Sequence, residues 1–289
     1  MQGTVDGFSY GLVTPVAAFL MACLGAALGL RCTTRSLRTR RTARAGWLAL
    51  GATSIGSGIW TMHFIAMVGF SVEQTTVSYD RPLTFASLAV AVLMVGIGIF
   101  LVGYRGATRM ALVTGGTITG LGVASMHYLG MAGMRFEGEF EYDTITVSLS
   151  VVIAVVAATV ALWAAVSVHG FLPSLGASVV MGVAVSGMHY TGMAALRVHL
   201  HPAAAPGAVG DAPTSLLLPM MIGPGCFLLL AGVIVLFDPL AVTDDGPGHR
   251  PGHGPGHGPR AQTAPIPVQR RRTASRTSAG GEYRQPRNR

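Results

Sequence analysis

The sequence predicts an all-α integral membrane protein with seven transmembrane helices: three internal helical-hairpin repeats followed by a seventh span. Three observations carry this. Of 289 residues only 11% are charged and 51% are apolar, whereas a soluble domain carries about a quarter of its residues charged. Seven apolar segments reach the ~20 residues that ~30 Å of hydrocarbon takes at ~1.5 Å rise per residue. A related stretch centred on Met-His-aromatic recurs in the second, fourth and sixth of these segments.

The segments run over residues 10–30, 46–70, 82–103, 110–134, 144–168, 174–196 and 215–237, each separated from the next by polar or turn-forming residues. Backbone polar groups in lipid have to be satisfied within the segment, so each reads as a helix rather than a strand. The first follows Asp6 with no basic residue before it. A cleaved signal peptide begins with a positive stretch, so this segment is expected to remain as a span. Residues 1–9 then form a short outer N-terminus, and residues 10–237 the transmembrane domain. Residues 238–289 are rich in Gly, Pro, His and Arg, a composition that builds no packed core, and a disordered cytoplasmic tail is expected. His249, His253 and His257 recur every four residues there, a spacing that compositional bias explains better than a metal site.

All 20 basic residues are Arg, and their distribution orients the chain. Arg31, Arg35, Arg38, Arg40, Arg41 and Arg44 fall between spans one and two, Arg105 and Arg109 between spans three and four, and nine more from Arg250 onward. The opposite loops hold only Arg81, Arg135 and Arg197, together with Glu73, Asp80, Glu137, Glu139, Glu141 and Asp143. Basic loops stay in the cytoplasm, so the N-terminus is expected outside and the C-terminus inside. A net charge of +8 concentrated in a tail and loops, without aromatic interleaving, does not predict nucleic-acid binding. Cys23, Cys32 and Cys226 form no CxxC pair and leave an odd count, so no disulfide framework is expected.

The repeat carries the chemistry. Residues 55–67 read Ile-Gly-Ser-Gly-Ile-Trp-Thr-Met-His-Phe-Ile-Ala-Met, residues 119–131 Thr-Gly-Leu-Gly-Val-Ala-Ser-Met-His-Tyr-Leu-Gly-Met, and residues 181–193 Met-Gly-Val-Ala-Val-Ser-Gly-Met-His-Tyr-Thr-Gly-Met. His63, His127 and His189 are spaced by 64 and 62 residues, so three hairpins would form a pseudo-threefold array. Each His lies eight residues before the polar residue that marks the outer end of its span, Ser71, Arg135 or Arg197, roughly 12 Å of helix. Polar side chains at that depth face a bundle interior or a water-filled cavity. Met67, Met131 and Met193 follow the histidines at i+4 and share their faces. Met62, Met126 and Met188 precede them and are rotated by ~100°. Imidazole suits copper, zinc and iron, and thioether favours Cu(I). Gly56/Gly58, Gly120/Gly122 and Gly182/Ala184 let the helices approach closely. A single intramembrane His often only packs, and Met often only fills gaps. Three copies at one depth, each with the same Met spacing, point instead to a metal site of His63, Met67, His127, Met131, His189 and Met193.

These motifs resemble the MHYT domain, a bacterial membrane sensor module, over about residues 8–240. Met188-His189-Tyr190-Thr191 matches the signature in full. Met126-His127-Tyr128-Leu129 departs at the last position and Met62-His63-Phe64-Ile65 at the last two, leaving every His and Met in place. The resemblance implies a copper site near the outer face that senses O2, CO, NO or a redox state, in a protein of the cell membrane. Members are often fused to GGDEF, EAL or kinase domains. None is legible after Phe237, so a separate cytoplasmic signalling partner or a docking tail is expected.

Two rival readings use the same histidines. A metal-ion or proton transporter would use them as a ring within a conduit, but no Asp, Glu or Arg continues the path deep in a span. Haem held by two histidines is a further option, which ligands on three helices at one depth suit less well. No nucleophile–base pair, phosphate loop or HExxH helix is present, so an enzyme is not expected.

Overall fold

The computed structural model describes residues 5–6, 10–72, 77–136, 138–168, 170–200 and 213–236. The expected tail, with His249, His253 and His257, lies outside the described residues, as do Glu73 and Glu137. The described chain is helical: α1 (Val13–Arg38), α2 (Arg41–Val68), α3 (Arg81–Arg105), α4 (Arg109–Ala132), α5 (Thr144–Ser167), α6 (Phe171–Ala194) and α7 (Pro213–Leu236).

Five of these are long and apolar enough to cross a membrane: α1, α3, α5, and the apolar stretches Leu172–Ala194 of α6 and Leu217–Val235 of α7. The chain is a multi-pass membrane protein. α2 and α4 fall short of that measure because they are interior helices. Most of their Gly, Ser and Thr residues, together with His63 and His127, are covered by neighbouring helices and need not match lipid, whereas Thr42, Gly46, Thr114 and Ser125 are exposed.

α1 runs two turns further than the apolar pattern indicated, and α2 begins at Arg41, so the basic loop shrinks to residues 39 and 40. Arg is a good helix former, and only the apolar run ends at Arg31. The long Arg side chains settle on aromatic faces at this end: Arg35 lies 5.6 Å from the ring centre of Trp47, and Arg44 5.3 Å from that of Tyr104. The Arg44 guanidinium also donates to the Gly103 carbonyl near the end of α3.

The helices pair as hairpins α1–α2, α3–α4 and α5–α6, and α2–α3, α4–α5 and α6–α1 contacts close the ring. α7 packs outside, against α1 and α2, where Leu228, Ala231 and Val235 meet Leu28 and Cys32. The glycines of the repeat explain the closure. A Cβ on Gly56 would lie 2.8 Å from Val92 Cα of α3, one on Gly120 2.5 Å from Val155 Cα of α5, and one on Gly182 2.5 Å from Cys23 Sγ of α1. The same repeat position thus seats each inner helix on the first helix of another hairpin. Two residues on, Gly58 meets Gly25 of α1 and Gly122 meets Met94 of α3, drawing the two helices of each of these hairpins together. Cys23 is accordingly a packing residue, and Cys226 is exposed.

Short strands, absent from the sequence reading, bracket the hairpins at the end opposite the Arg cluster. β1 (Val5–Asp6) pairs with β2 (Ser71–Val72), β3 (Ser78–Tyr79) with β4 (Met134–Arg135), and β5 (Gly138–Tyr142) with β6 (Leu196–Leu200), all antiparallel. Each ladder joins the segment before a hairpin to the segment after it, so the threefold repeat extends through this cap. Asp80 accepts from Leu83 N at 3.0 Å and Asp143 from Thr146 N at 2.9 Å, satisfying the first amides of α3 and α5. Asp80 thus caps α3, and Arg135 lies 3.2 Å from it.

Candidate metal centre

His63, His127 and His189 each stand five residues before the last residue of their helices, Val68, Ala132 and Ala194. Their depth is therefore equal, as the repeat predicts. The helices end two residues earlier than the apolar segments do, and β2, β4 and β6 follow. The rings thus lie about 7.5 Å, not ~12 Å, below the helix ends.

All three side chains are 1% exposed. Their Nδ1 atoms form a triangle: 3.1 Å from His63 to His189, 3.2 Å from His127 to His63, and 3.3 Å from His189 to His127. The rings stand nearly perpendicular to one another, with interplanar angles of 79°, 76° and 90° and centroids 4.9–5.1 Å apart. Each packs edge-on against the aromatic that follows it, Phe64, Tyr128 or Tyr190, at 4.7, 4.9 and 5.0 Å.

Three converging imidazole nitrogens cannot satisfy one another. A ring nitrogen carries either a proton or a lone pair, so a closed cycle of three N–H···N bonds through single atoms is impossible. A small cation at the centre solves this. An equilateral triangle of edge 3.2 Å has its centre about 1.85 Å from each corner, slightly inside the ~2.0–2.1 Å of imidazole–zinc bonds. With lone pairs pointing inward, Nε2 carries the proton. Nε2 of His63 and of His127 is buried without a hydrogen-bond partner among the described residues. Each lies against a bare glycine face of the next inner helix: a Cβ on Gly130 would be 2.6 Å from His63 Nε2, and one on Gly192 2.5 Å from His127 Nε2. Metal-bound imidazoles commonly fix their orientation by an outward N–H bond to carboxylate or carbonyl. Here close glycine contact and edge-on aromatic rings perform that task. The three histidines fit a small metal ion and can hold one.

The methionines are less differentiated than their spacing suggested. Met67 and Met131 are fully buried while Met193 is only partly so, and Met62, Met126 and Met188 are as buried as the first two. Sequence reasoning recorded a small residue three positions after each His (Ala66, Gly130, Gly192) but missed its use as a seat for the neighbouring ring. It also missed two bonds that fasten the inner helices. Trp60 Nε1 donates to Ser87 Oγ of α3 at 3.0 Å, and Tyr128 Oη shares a 2.7 Å bond with Ser150 Oγ of α5.

Toward the Arg end an apolar cavity of about 50 Å³ opens beneath the triad. Ile59, Val123 and Val185 line it, each four residues before its His, and so do Ile55, Thr119 and Met181, each eight before. The three inner helices therefore stack triangular layers: imidazole, then aliphatic, then aliphatic with one Thr.

The sequence pattern described as the bacterial signalling protein N-terminal repeat, MHYT, matches residues 56–115, 120–178 and 182–233, more than half of the chain. The chain belongs to the MHYT family. Among its relatives, the bifunctional diguanylate cyclase/cyclic di-GMP phosphodiesterase MucR of Pseudomonas aeruginosa is 37% identical over 66% of this chain and 29% of its own length. The cyclic di-GMP phosphodiesterase NbdA of the same organism is 33% identical over 77% of this chain and 29% of its own. The signaling protein YkoW of Bacillus subtilis is 30% identical over 66% and 24%. The chain thus matches under a third of the length of these relatives. No solved structure matches it. The MHYT repeats begin inside α2, α4 and α6, seven residues before each His, and run through the outer helix that follows; the first two extend into the start of the next inner helix.

Proposed function

We propose that this MHYT chain is a membrane sensor whose copper site, held by His63, His127 and His189, responds to a diatomic gas (O2, CO or NO) or to redox state. It acts without catalysis of its own. Met67, Met131 and Met193 are the proposed co-ligands, on the soft-donor argument for Cu(I). The supporting observation is the buried Nδ1 triangle with 3.1–3.3 Å edges. When bound, copper supplies a redox-active centre able to take a small ligand. The chain's own residues do the rest: Gly130 and Gly192 seat the rings, Phe64, Tyr128 and Tyr190 hold them edge-on, and the aliphatic layer of Ile59, Val123 and Val185 keeps water from below.

All seven helices cross the membrane in this reading, with the triad near the outer face and the Arg cluster at the cytoplasmic side, following the positive-inside rule. α2 is continuous from Arg41 to Val68, so a shift of the triad displaces its cytoplasmic end directly. Two relatives are named for making or degrading cyclic di-GMP. By extension, the cytoplasmic partner of this site is a component of cyclic di-GMP signalling.

A conduit for protons or metal ions finds less support. Beneath the imidazoles the next two layers are aliphatic apart from Thr119, and a proton path needs continued ionisable groups. X-ray absorption at the copper edge of the loaded chain tests the ligand set. Three imidazoles with sulfur scattering are expected. A shell without imidazole contradicts the assignment, and imidazole without sulfur removes the methionines from it.

A further inference from the structure

We propose that the cavity beneath the triad is a dry chamber for a small uncharged apolar molecule of dissolved-gas dimensions. Its volume of about 50 Å³ exceeds severalfold the ~10–15 Å³ that one water needs. Water nevertheless needs two to four polar partners, and apolar cavities of protein interiors stay empty of it. Among the described residues Thr119 is the only polar side chain in the lining, and its hydroxyl is already donated to Met94 O at 3.4 Å. Ions are excluded by the same chemistry. What remains is a site for molecules that dissolve in hydrocarbon.

Its placement follows from the repeat. At the −5 position from each His the first two copies carry Gly58 and Gly122, which bring their hairpin partners into contact; the third carries Ala184, which lines the cavity. Opposite it α5 presents Ala154, Ala158 and Ala161, too small to fill the gap. The other face of α5 (Val152, Val156, Val160) is exposed, so one alanine-walled helix separates the chamber from the surrounding lipid. Met188, adjacent to His189, lines the upper end. The chamber therefore holds its occupant about one helical turn from the imidazoles.

Its relevance to sensing rests on the function proposed above, but its occupancy does not require a metal. Xenon is the probe, applied under pressure to the full, metal-stripped chain in nanodiscs with labelled Ile and Val methyls. Saturable shifts confined to the methyls of Ile55, Ile59, Val95, Ile99, Val123 and Val185 are expected. Ala158→Leu, or Ala161→Leu if the first does not fold, should weaken the response at least tenfold. Absent shifts in the wild-type chain, or an equal response in a folded filling variant, overturn the chamber. Xenon binding by a chain that takes up no copper on reloading would leave the chamber standing and sink the sensor's metal instead.

Discussion

The Nδ1 atoms of His63 and His189 lie 3.1 Å apart, although 126 residues separate them in the chain. With His127 equally close to both, no single ring can satisfy the other two, and the three act as one ligand set. Each single variant, His63→Ala, His127→Ala or His189→Ala, should therefore lower copper affinity by on the order of 100-fold or more, since loss of even an outer partner of a ligand costs ~10–100-fold. A competition titration against a Cu(I) chelator reads this. Unequal effects, with one histidine dispensable, would break the threefold account.

Gly192→Ala should weaken metal binding by about 10–100-fold without touching a ligand. The added Cβ would stand 2.5 Å from His127 Nε2 and push that ring out of the triangle. Gly130→Ala should do the same through His63. Ala66→Gly is the control: that position already carries a Cβ, so affinity should hold. Circular dichroism separates ring displacement from unfolding.

Tyr128→Phe removes the 2.7 Å bond to Ser150, which retains its own bond to Val147 O. Interhelical bonds of this kind in membrane proteins average ~0.6 kcal/mol and reach ~1.7. The loss should be of that size in a denaturation measurement, with copper content unchanged. A drop in copper would assign the hydroxyl a role at the site.

Asp80 and Asp143 cap α3 and α5 at the triad end. The Leu83 amide and Arg135 hold the Asp80 carboxyl below the usual carboxylate range, and the Thr146 hydroxyl and amide do so for Asp143. Because both values are depressed on folding, their stabilisation is fully present above the unfolded value of ~3.9 and is lost as pH falls through the lower folded values. Melting temperature should thus hold down to about pH 4 on their account and fall below it. Asp80→Asn with Asp143→Asn should flatten that acid-side fall; an unchanged profile would show that the caps carry no linkage.

Much of this arrangement was legible in the sequence, because duplication left the same signal three times. Histidines spaced by 64 and 62 residues fixed the equal depth, and the glycines around them announced close helix contacts. The strands were not legible: three of the ladders' six strands follow the His helices directly, and most are two residues long, too short for any alternation to show. Helix ends were misplaced for a related reason. Arg31 to Arg38 continue α1 past the apolar run, and residues 69–70 remain apolar after α2 has ended. Hydropathy marks what lipid requires, not where the backbone stops turning. The roles of Gly130 and Gly192 needed three dimensions, since each serves a ring on a different helix.

Elemental analysis of the purified chain, expressed with copper supplied and compared with the His63→Ala/His127→Ala/His189→Ala variant, tests the central claim most directly. One copper per chain, lost in the folded triple variant, is the predicted result. Wild-type protein free of metal after gentle purification, or equal copper in both, would contradict it.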